Sequence, residues 1–225
     1  MSNIQWQYIF DLPLAIKSFP YVIQGIWYTI LISFVGMIVG LLIGFFLALG
    51  RMSKLVILSW PSRIYISFMR GTPMLVFLFL LYFGLPMVGI EFSAVTCALI
   101  GFSLHSAAYM AEINRSALAA VNKGQWEAST ALGLSYWQTM KLIILPQATR
   151  IALPPLSNVL LDLIKASSLA AMITVPDLFN RAKIVGGREF DYMTMYILVA
   201  LIYWGICSII ELGQSYLEKR YQYSE

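Results

Sequence analysis

"SFPYVIQGIWYTILISFVGMIVGLLIGFFLALG", residues 18–50, carries no charged side chain over its whole length. A bilayer core about 30 Å thick is crossed by roughly 20 apolar helical residues, so this run is long enough to span a membrane with several residues to spare. Residues 71–90 and 192–210 are likewise uncharged, and residues 92–111 hold only His105. The whole chain repeats the pattern: 60% of its 225 residues are hydrophobic and 12% are charged. Soluble domains carry about 25% charged residues. There is too little charge here to coat a water-facing surface, and the class is an all-α polytopic membrane protein.

Five spans fit the apolar runs: Val22 to Leu49, Met74 to Val88, Ser93 to Ile113, Ala152 to Val175 and Met193 to Glu211. The second is short, and is expected to begin earlier, inside "FMRGTP". Basic residues set the orientation. Arg51, Lys54, Arg63, Arg70, Arg115, Lys123, Lys141, Arg150, Lys219 and Arg220 fall on one side. Lys17, Arg181, Lys183 and Arg188 fall on the other, with Lys165 inside a span. Positive loops stay in the cytoplasm, which predicts an outside N-terminus, an inside C-terminus and an external loop from Asp177 to Tyr192. The domain plan is an interfacial segment over 1–20, a transmembrane domain over 21–217 and a cytoplasmic tail over 218–225. The opening residues have no basic start or small-residue cleavage site, so no cleaved signal peptide is expected. The net charge of +4 reflects these loops, and nucleic acid is not an expected partner.

Gly36, Gly40, Gly44 and Ala48 recur every four residues in the first span. They share one helix face and permit close backbone approach, either to another helix of this chain or to a second subunit. Cys97 and Cys207 sit inside apolar runs and read as small buried hydrophobes. One His and two distant Cys make no metal cluster. A lone His105 supports no Ser-His-Asp arrangement.

Between the third and fourth spans lies a polar interruption, "EASTALGLSYWQTMKLIILPQA", residues 127–148. Gly133 stands where a helix C-terminal cap belongs, because glycine reaches positive φ cheaply. Ser135 with Gln138 three residues on is a capping-box pattern that starts a second helix, and Pro146 ends that helix or begins the next turn. The expectation is helix, sharp break, helix. Leu134, Tyr136 and Trp137 are expected on its surface, for a partner or for lipid headgroups.

The spacing Glu127-Ala128-Ser129, three residues, Gly133, nine residues, Ile143, one residue, Leu145-Pro146 resembles the cytoplasmic signature loop of permease subunits of binding-protein-dependent ATP-binding-cassette importers. Ser129 replaces the commoner second alanine. "FMRGTPMLVFLFLLYFGLP" (68–86), "AAYMAEINRSALAAVNKGQWEAS" (107–129), "PQATRIALPPLSN" (146–158) and "LIKASSLAAMITVPDL" (163–178) are similar to the polar amino-acid branch of that family. The resemblance implies a type I importer permease whose hairpin, at about 120–148, is a coupling helix seated on the ATPase subunit. Glu127 is then expected near a helix start, where the helix dipole favours an anion. It also implies a second permease subunit, identical or related, two ATPases and an extracellular solute-binding protein, in a bacterial cytoplasmic membrane. No G-x-x-x-x-G-K-[ST] loop occurs in the chain, so the chain is a transporter subunit without its own cofactor, ATP and Mg belonging to the ATPase.

Polar residues inside the spans are functional candidates, because they are costly there. Asn158, Asp162, Lys165 and Ser168 share one helix face. Lys165 is placed to bind a substrate carboxylate, with Asp162, Ser167 or Ser168 meeting an amino group; alternatively Asp162 and Lys165 pair with each other. Ala166 stands where the family often has an acid, which favours a polar or sulfur-containing amino acid such as cystine over a strongly basic one. Glu112 shares a face with His105, Tyr109 and Ser116, and either complements the substrate or balances Arg115. Thr72 is a candidate cap for the helix opened by Pro73, with the substrate carboxylate as a possible companion. The competing function is a stand-alone secondary carrier or channel using Asp162, Lys165 and Glu112 as a relay; five spans do not divide into the usual inverted repeats.

Overall fold

A computed structural model describes residues 9–222 of the chain. All of the regular structure is helical, as expected in lipid, where a helix satisfies its own backbone polar groups. The helices are α1 (Leu12–Val22), α2 (Ile26–Met52), α3 (Val56–Gly71), α4 (Met74–Phe79), α5 (Ala94–Ala120), α6 (Lys123–Ala131), α7 (Tyr136–Thr139), α8 (Leu145–Ala166), α9 (Leu178–Glu189) and α10 (Tyr192–Gln222). A 3-10 turn joins α1 to α2. A π turn joins α7 to α8, and a 3-10 stretch extends α8 to Ile173. Four helical runs are long and apolar enough to cross a membrane: Leu12–Met52, Ala94–Ala120, Tyr136–Ile173 and Tyr192–Tyr216. Val56–Gly71 and Met74–Val88 are long and apolar enough only taken together, as a pair bent by 104°.

Three expectations change. Residues 56–71, left between spans with Arg63 and Arg70 counted among loop cations, form α3, whose buried stripe is Ser62, Ile66 and Met69. Its bend has a local cause: the ring of Pro73 excludes the α region at the preceding residue, and Thr72 is extended (φ −100, ψ 130). Thr72 therefore ends α3, and its hydroxyl donates back to the Phe68 carbonyl at 2.8 Å, so it does not cap the helix that follows. The segment expected as an external loop, 177–192, contains helix α9, capped by Asp177. Of the two roles expected for Pro146 the structure fits the second: it is the second residue of α8, which follows the π turn without a break. The π turn at Met140–Ile144 immediately precedes this proline, a position where a widened turn accommodates a ring that an ordinary helix interior rejects. The interfacial expectation for residues 1–20 falls partly on residues outside those described, as does that for the tail.

The chain divides into two compact units. The first comprises Met1–Val35, Met74–Phe102 and Leu161–Leu212. Its core is Ala15 and Val22 of α1, Leu178, Ala182 and Val185 of α9, and Met195, Leu198 and Val199 of α10. Gly25 is required by a close crossing, because a Cβ there would lie 2.4 Å from the Asp177 carbonyl carbon. The Arg181 guanidinium donates to Gln24 Oε1 at 3.1 Å and lies 4.9 Å from the Tyr21 ring centroid, tying α9 to the end of α1. The Asp177 side chain is fully buried. Its Oδ1 accepts the Asn180 N–H at 2.7 Å, while Oδ2 has no partner. Burial drives its pKa up to about 7, against the opposing effect of backbone donors at Asn180 and Phe179.

The second unit comprises Gly36–Pro73, Ser103–Leu160 and Gly213–Glu225. Here the four-residue small-side-chain stripe packs α2 against α5 of the same chain. A Cβ on Gly40 would sit 2.1 Å from Ser106 Oγ, and one on Gly44 would sit 2.8 Å from the Ala107 carbonyl oxygen. Ser106 Oγ donates to the Gly36 carbonyl at 2.9 Å, and Ala48 is fully buried. Intramolecular packing accounts for the stripe. Tyr65 of α3 anchors on the Leu104 carbonyl at 2.8 Å, and Gln214 donates to the Ser157 carbonyl at 2.6 Å.

Two outcomes are expected. G40V or G44V overpacks the α2–α5 contact and costs about 1–3 kcal/mol, seen as a lower melting temperature in detergent. G213V, where a Cβ meets nothing within 4 Å, leaves it near wild type. For Asp177 the folded state favours the neutral acid. The unfolded chain ionises near 4, so stability falls as pH rises from about 4 to about 7, and the loss is complete above that. Asn caps helices as well as Asp does. D177N is therefore expected to raise the melting temperature at about pH 8, where roughly 4 kcal/mol is at stake. It should do little near pH 4. An equal effect at both pH values refutes the buried-acid account.

Candidate functional site

The polar interruption folds as a capped hairpin. Asn122 caps α6, its side chain accepting the Gly124 N–H at 2.8 Å. The helix closes in a Schellman motif. Gly133 has φ +75, its N–H donates to the Thr130 carbonyl, and the Leu134 N–H donates to the Ser129 carbonyl, both at 3.0 Å. This geometry needs a residue at positive φ. Two residues later the capping box is complete: Ser135 Oγ accepts the Gln138 N–H at 3.4 Å, and Gln138 Oε1 accepts the Ser135 N–H at 2.9 Å. Both orphaned helix ends at the corner are thus satisfied locally, so the corner is stiff.

The individual residues fall as follows. Glu127 and Ala128 are exposed, and Ser129 is fully buried, its hydroxyl donating to the Gln125 carbonyl at 2.6 Å. Glu127 lies in the second turn of α6 and not at its start, so the dipole argument for it fails. Leu134 is half-buried; Leu132, Tyr136 and Trp137 form the exposed apolar surface, at 78%, 59% and 74%. Trp126 stacks on Tyr136, with centroids 5.8 Å apart, which braces α6 against α7. Ile143 and Leu145 are half-buried and Pro146 is exposed. The exposure of Leu132 was open to the sequence: it precedes the capping glycine and follows a helix too short to bury it.

Glu112 is the centre of an ion cluster. Arg51 pairs with its Oε1, Arg115 with Oε2 at 3.2 Å, and Arg70 lies at 3.9 Å from Oε2. Arg70 also lies 5.7 Å from the Tyr109 ring centroid. The arginines come from α2, α3 and α5, so one carboxylate gathers the ends of three helices. The sequence offered Arg115 alone as the partner; Arg51 and Arg70 are far away in the chain and gave no periodic signal. His105 Nε2 lies 3.2 Å from the Thr72 carbonyl, which makes it a bridge between α5 and the break after α3.

Asp162 and Lys165 pair at 3.0 Å, and both side chains are exposed, at 74% and 59%. They lie on the surface of the single chain rather than in its interior. Ser168 donates to the Lys165 carbonyl at 2.8 Å. Ser167 is turned inward and fully buried, donating to the Ile164 carbonyl at 2.7 Å with Tyr203 Oη at 3.3 Å. It does not share the exposed face of Asp162 and Lys165. Glu112 and Thr72 belong to the second compact unit. Among the described residues no group of three or more His, Cys, Asp or Glu side chains is arranged to hold a metal ion.

The Glu112 cluster carries a stability expectation. Hydrogen bonds to charged groups contribute about 1.5–3 kcal/mol, and E112Q leaves Arg51 and Arg115 without their acceptor charge. Stability should fall by an amount on the order of 2 kcal/mol, read as a lower melting temperature, with E112D recovering part of it. An unchanged transition in E112Q would show that the cluster holds nothing together.

Known proteins agree with this architecture. Residues 40–223 match the family of binding-protein-dependent transport system inner membrane components. The probable amino-acid ABC transporter permease protein YckA of Bacillus subtilis (strain 168) is 72% identical over 98% of both chains. The L-cystine transport system permease protein TcyB of the same organism is 41% identical over 89% of this chain and 86% of its own. A chain of an amino acid ABC transporter solved with histidines superposes with a TM-score of 0.89 at 34% identity, covering 93% of this chain and 98% of that one. The methionine transporter MetNI, inward facing, shares the fold at a TM-score of 0.72 and 19% identity, over 94% and 99% of the two chains. The chain belongs to the binding-protein-dependent transport system inner membrane components, the permease subunits of ATP-binding-cassette importers whose ATP is hydrolysed by a separate subunit.

Proposed function

We propose that this permease carries a polar or sulfur-containing amino acid, of the cystine type, into the bacterial cytoplasm by alternating access. It would pair with a second permease subunit, two ATPases and an extracellular binding protein. The N-terminus lies outside and the C-terminus inside. The relationship to amino-acid permeases supports the substrate class, and the similarity to a cystine permease favours that member of it. Ala166, next to Lys165, removes an acid that would attract a cationic side chain.

The observation that carries the proposal is the capped hairpin from Asn122 to Thr139. Its exposed Leu132, Tyr136 and Trp137 offer an apolar surface to a groove on the ATPase. Glu127, Ala128, Ser129, Gly133 and Leu134 belong to the hairpin, and Ile143, Leu145 and Pro146 to the π turn and the start of α8 that follow it. From Tyr136 the helical run continues to Ile173, so a push on the hairpin enters a span without crossing a flexible joint. Closure of two ATPases on ATP favours one bundle conformation over another, which is all that a ligand can do to such an equilibrium. Asp162 and Lys165 are exposed partners that a zwitterion can separate, each charge of the solute taking one of theirs.

The test exploits Gly133, where an added Cβ meets nothing within 4 Å. Any effect of substitution is therefore a backbone effect. A left-handed conformation costs about 1–2 kcal/mol for most residues and less for Asn. In proteoliposomes holding the full complex, G133V is expected to lower ATP-dependent uptake by roughly tenfold or more, while G133N retains most of it. E127K, which reverses the exposed charge on the hairpin, should also abolish uptake with insertion intact. Normal uptake in G133V and E127K would remove the hairpin from the coupling path. Binding of amino acids to the cognate binding protein identifies the solute.

A further inference from the structure

We infer that Arg63, Ser67 and Arg70 of α3 form a second anion station, which takes the carboxylate of the amino acid on its way through. A cavity of about 530 Å³ is lined by Arg51, Arg63, Ile66, Ser67, Arg70 and Tyr109. Arg63, Ser67 and Arg70 lie at spacings of four and three, so they project along one face of α3. All three are exposed, while the adjacent stripe one position earlier, Ser62, Ile66 and Met69, is buried.

The charge balance points to an anion. Arg51, Arg70 and Arg115 share a single carboxylate, Glu112, and Arg63 lines the same cavity as Arg51 and Arg70. Arg51 and Arg115 hold its two oxygens, and Arg70 reaches only 3.9 Å. Arg63 makes no ion pair among the described residues. Two guanidinium groups on one helix face, with hydroxyls of Ser67 and Tyr109 on the same wall, are left without a full counter-charge. Planar guanidinium groups match oxyanions through paired N–H donors. A general preference for positive residues on one side of the membrane accounts for arginines at this end of the helices, but not for their convergence on one cavity. The polar wall does not suit an apolar ligand, and the volume lies within the range of small-molecule sites. A positive wall also disfavours cations, so the station discriminates against amino acids with basic side chains. The identity of the acid rests on the importer reading; the anion chemistry does not.

The test uses the purified chain in phosphatidylcholine nanodiscs, with trifluoroacetate as the carboxylate probe, followed by fluorine NMR. Saturable binding is expected, displaced by inorganic phosphate. In the R63Q/R70Q double variant the affinity should fall by roughly tenfold or more, and R63K/R70K should recover part of it because charge without the planar fork is a weaker match. Size-exclusion profiles of the variants establish folding. Absence of saturable binding in the wild type, or equal binding in R63Q/R70Q, overturns the station. Loss of binding in phosphatidylglycerol nanodiscs would assign the cavity to a lipid headgroup and also overturn it. Failure of the complex to take up any amino acid with ATP, while trifluoroacetate still binds through Arg63 and Arg70, would sink the importer reading and leave the anion site standing.

Discussion

The hydrocarbon core supplies no hydrogen-bond partner for a free backbone amide, and that constraint shapes every departure from straight helix in this chain. Each break is closed by its own chemistry. At Thr72-Pro73 the hydroxyl of Thr72 returns to the Phe68 carbonyl, and the Thr72 carbonyl faces the His105 ring. At Met140–Ile144 the helix widens by one residue before Pro146 and continues. Gln147 adds a side-chain donor to the Ile143 carbonyl at 3.0 Å in the same place. Proline inside a membrane helix is tolerated where such substitutes exist, and α8 carries Pro154 and Pro155 as well.

The hairpin corner obeys the same rule with a different outcome. Four groups at the end of α6 and the start of α7 are closed by two backbone bonds and a reciprocal side-chain box. A corner closed this way resists bending, because bending would break several bonds together. The body of the hairpin adds little apolar burial of its own, since most of its residues are exposed. Its rigidity is therefore local, from caps and the Trp126–Tyr136 stack, and it survives without a hydrophobic core beneath it. That combination suits a part whose outer face is meant for another subunit.

What the sequence made legible follows from which signals are local. Uncharged runs of span length, the positive φ of Gly133 and the Ser135–Gln138 box are each written within a few residues, and each is found in place. Helix α3 was hidden because its arginines read as loop, although they flank a narrow buried stripe of Ser62, Ile66 and Met69. Helix α9 was hidden because its charged residues fall between two spans and read as loop; Gly186 is needed where Tyr192 packs, with a Cβ there 2.8 Å from that ring. Glu112 shows the limit most clearly. Two of its three arginines are more than forty positions away in the chain, and only folding discloses that one acid serves them all.

The two polar clusters differ in the kind of interaction that they leave open. Asp162 and Lys165 neutralise one another one turn apart on an exposed face, so a ligand there competes with an existing pair, and gains only what its own geometry adds. Beside Glu112 the acid is already shared, and a further anion in the cavity meets Arg63, which makes no ion pair among the described residues, and Arg70, whose own pair is long at 3.9 Å. An exposed pair is worth at most about 1 kcal/mol, a small barrier to exchange. Weak competition in one cluster and uncompensated charge in the other are both compatible with transit, which requires that a solute be held long enough to be oriented and then released.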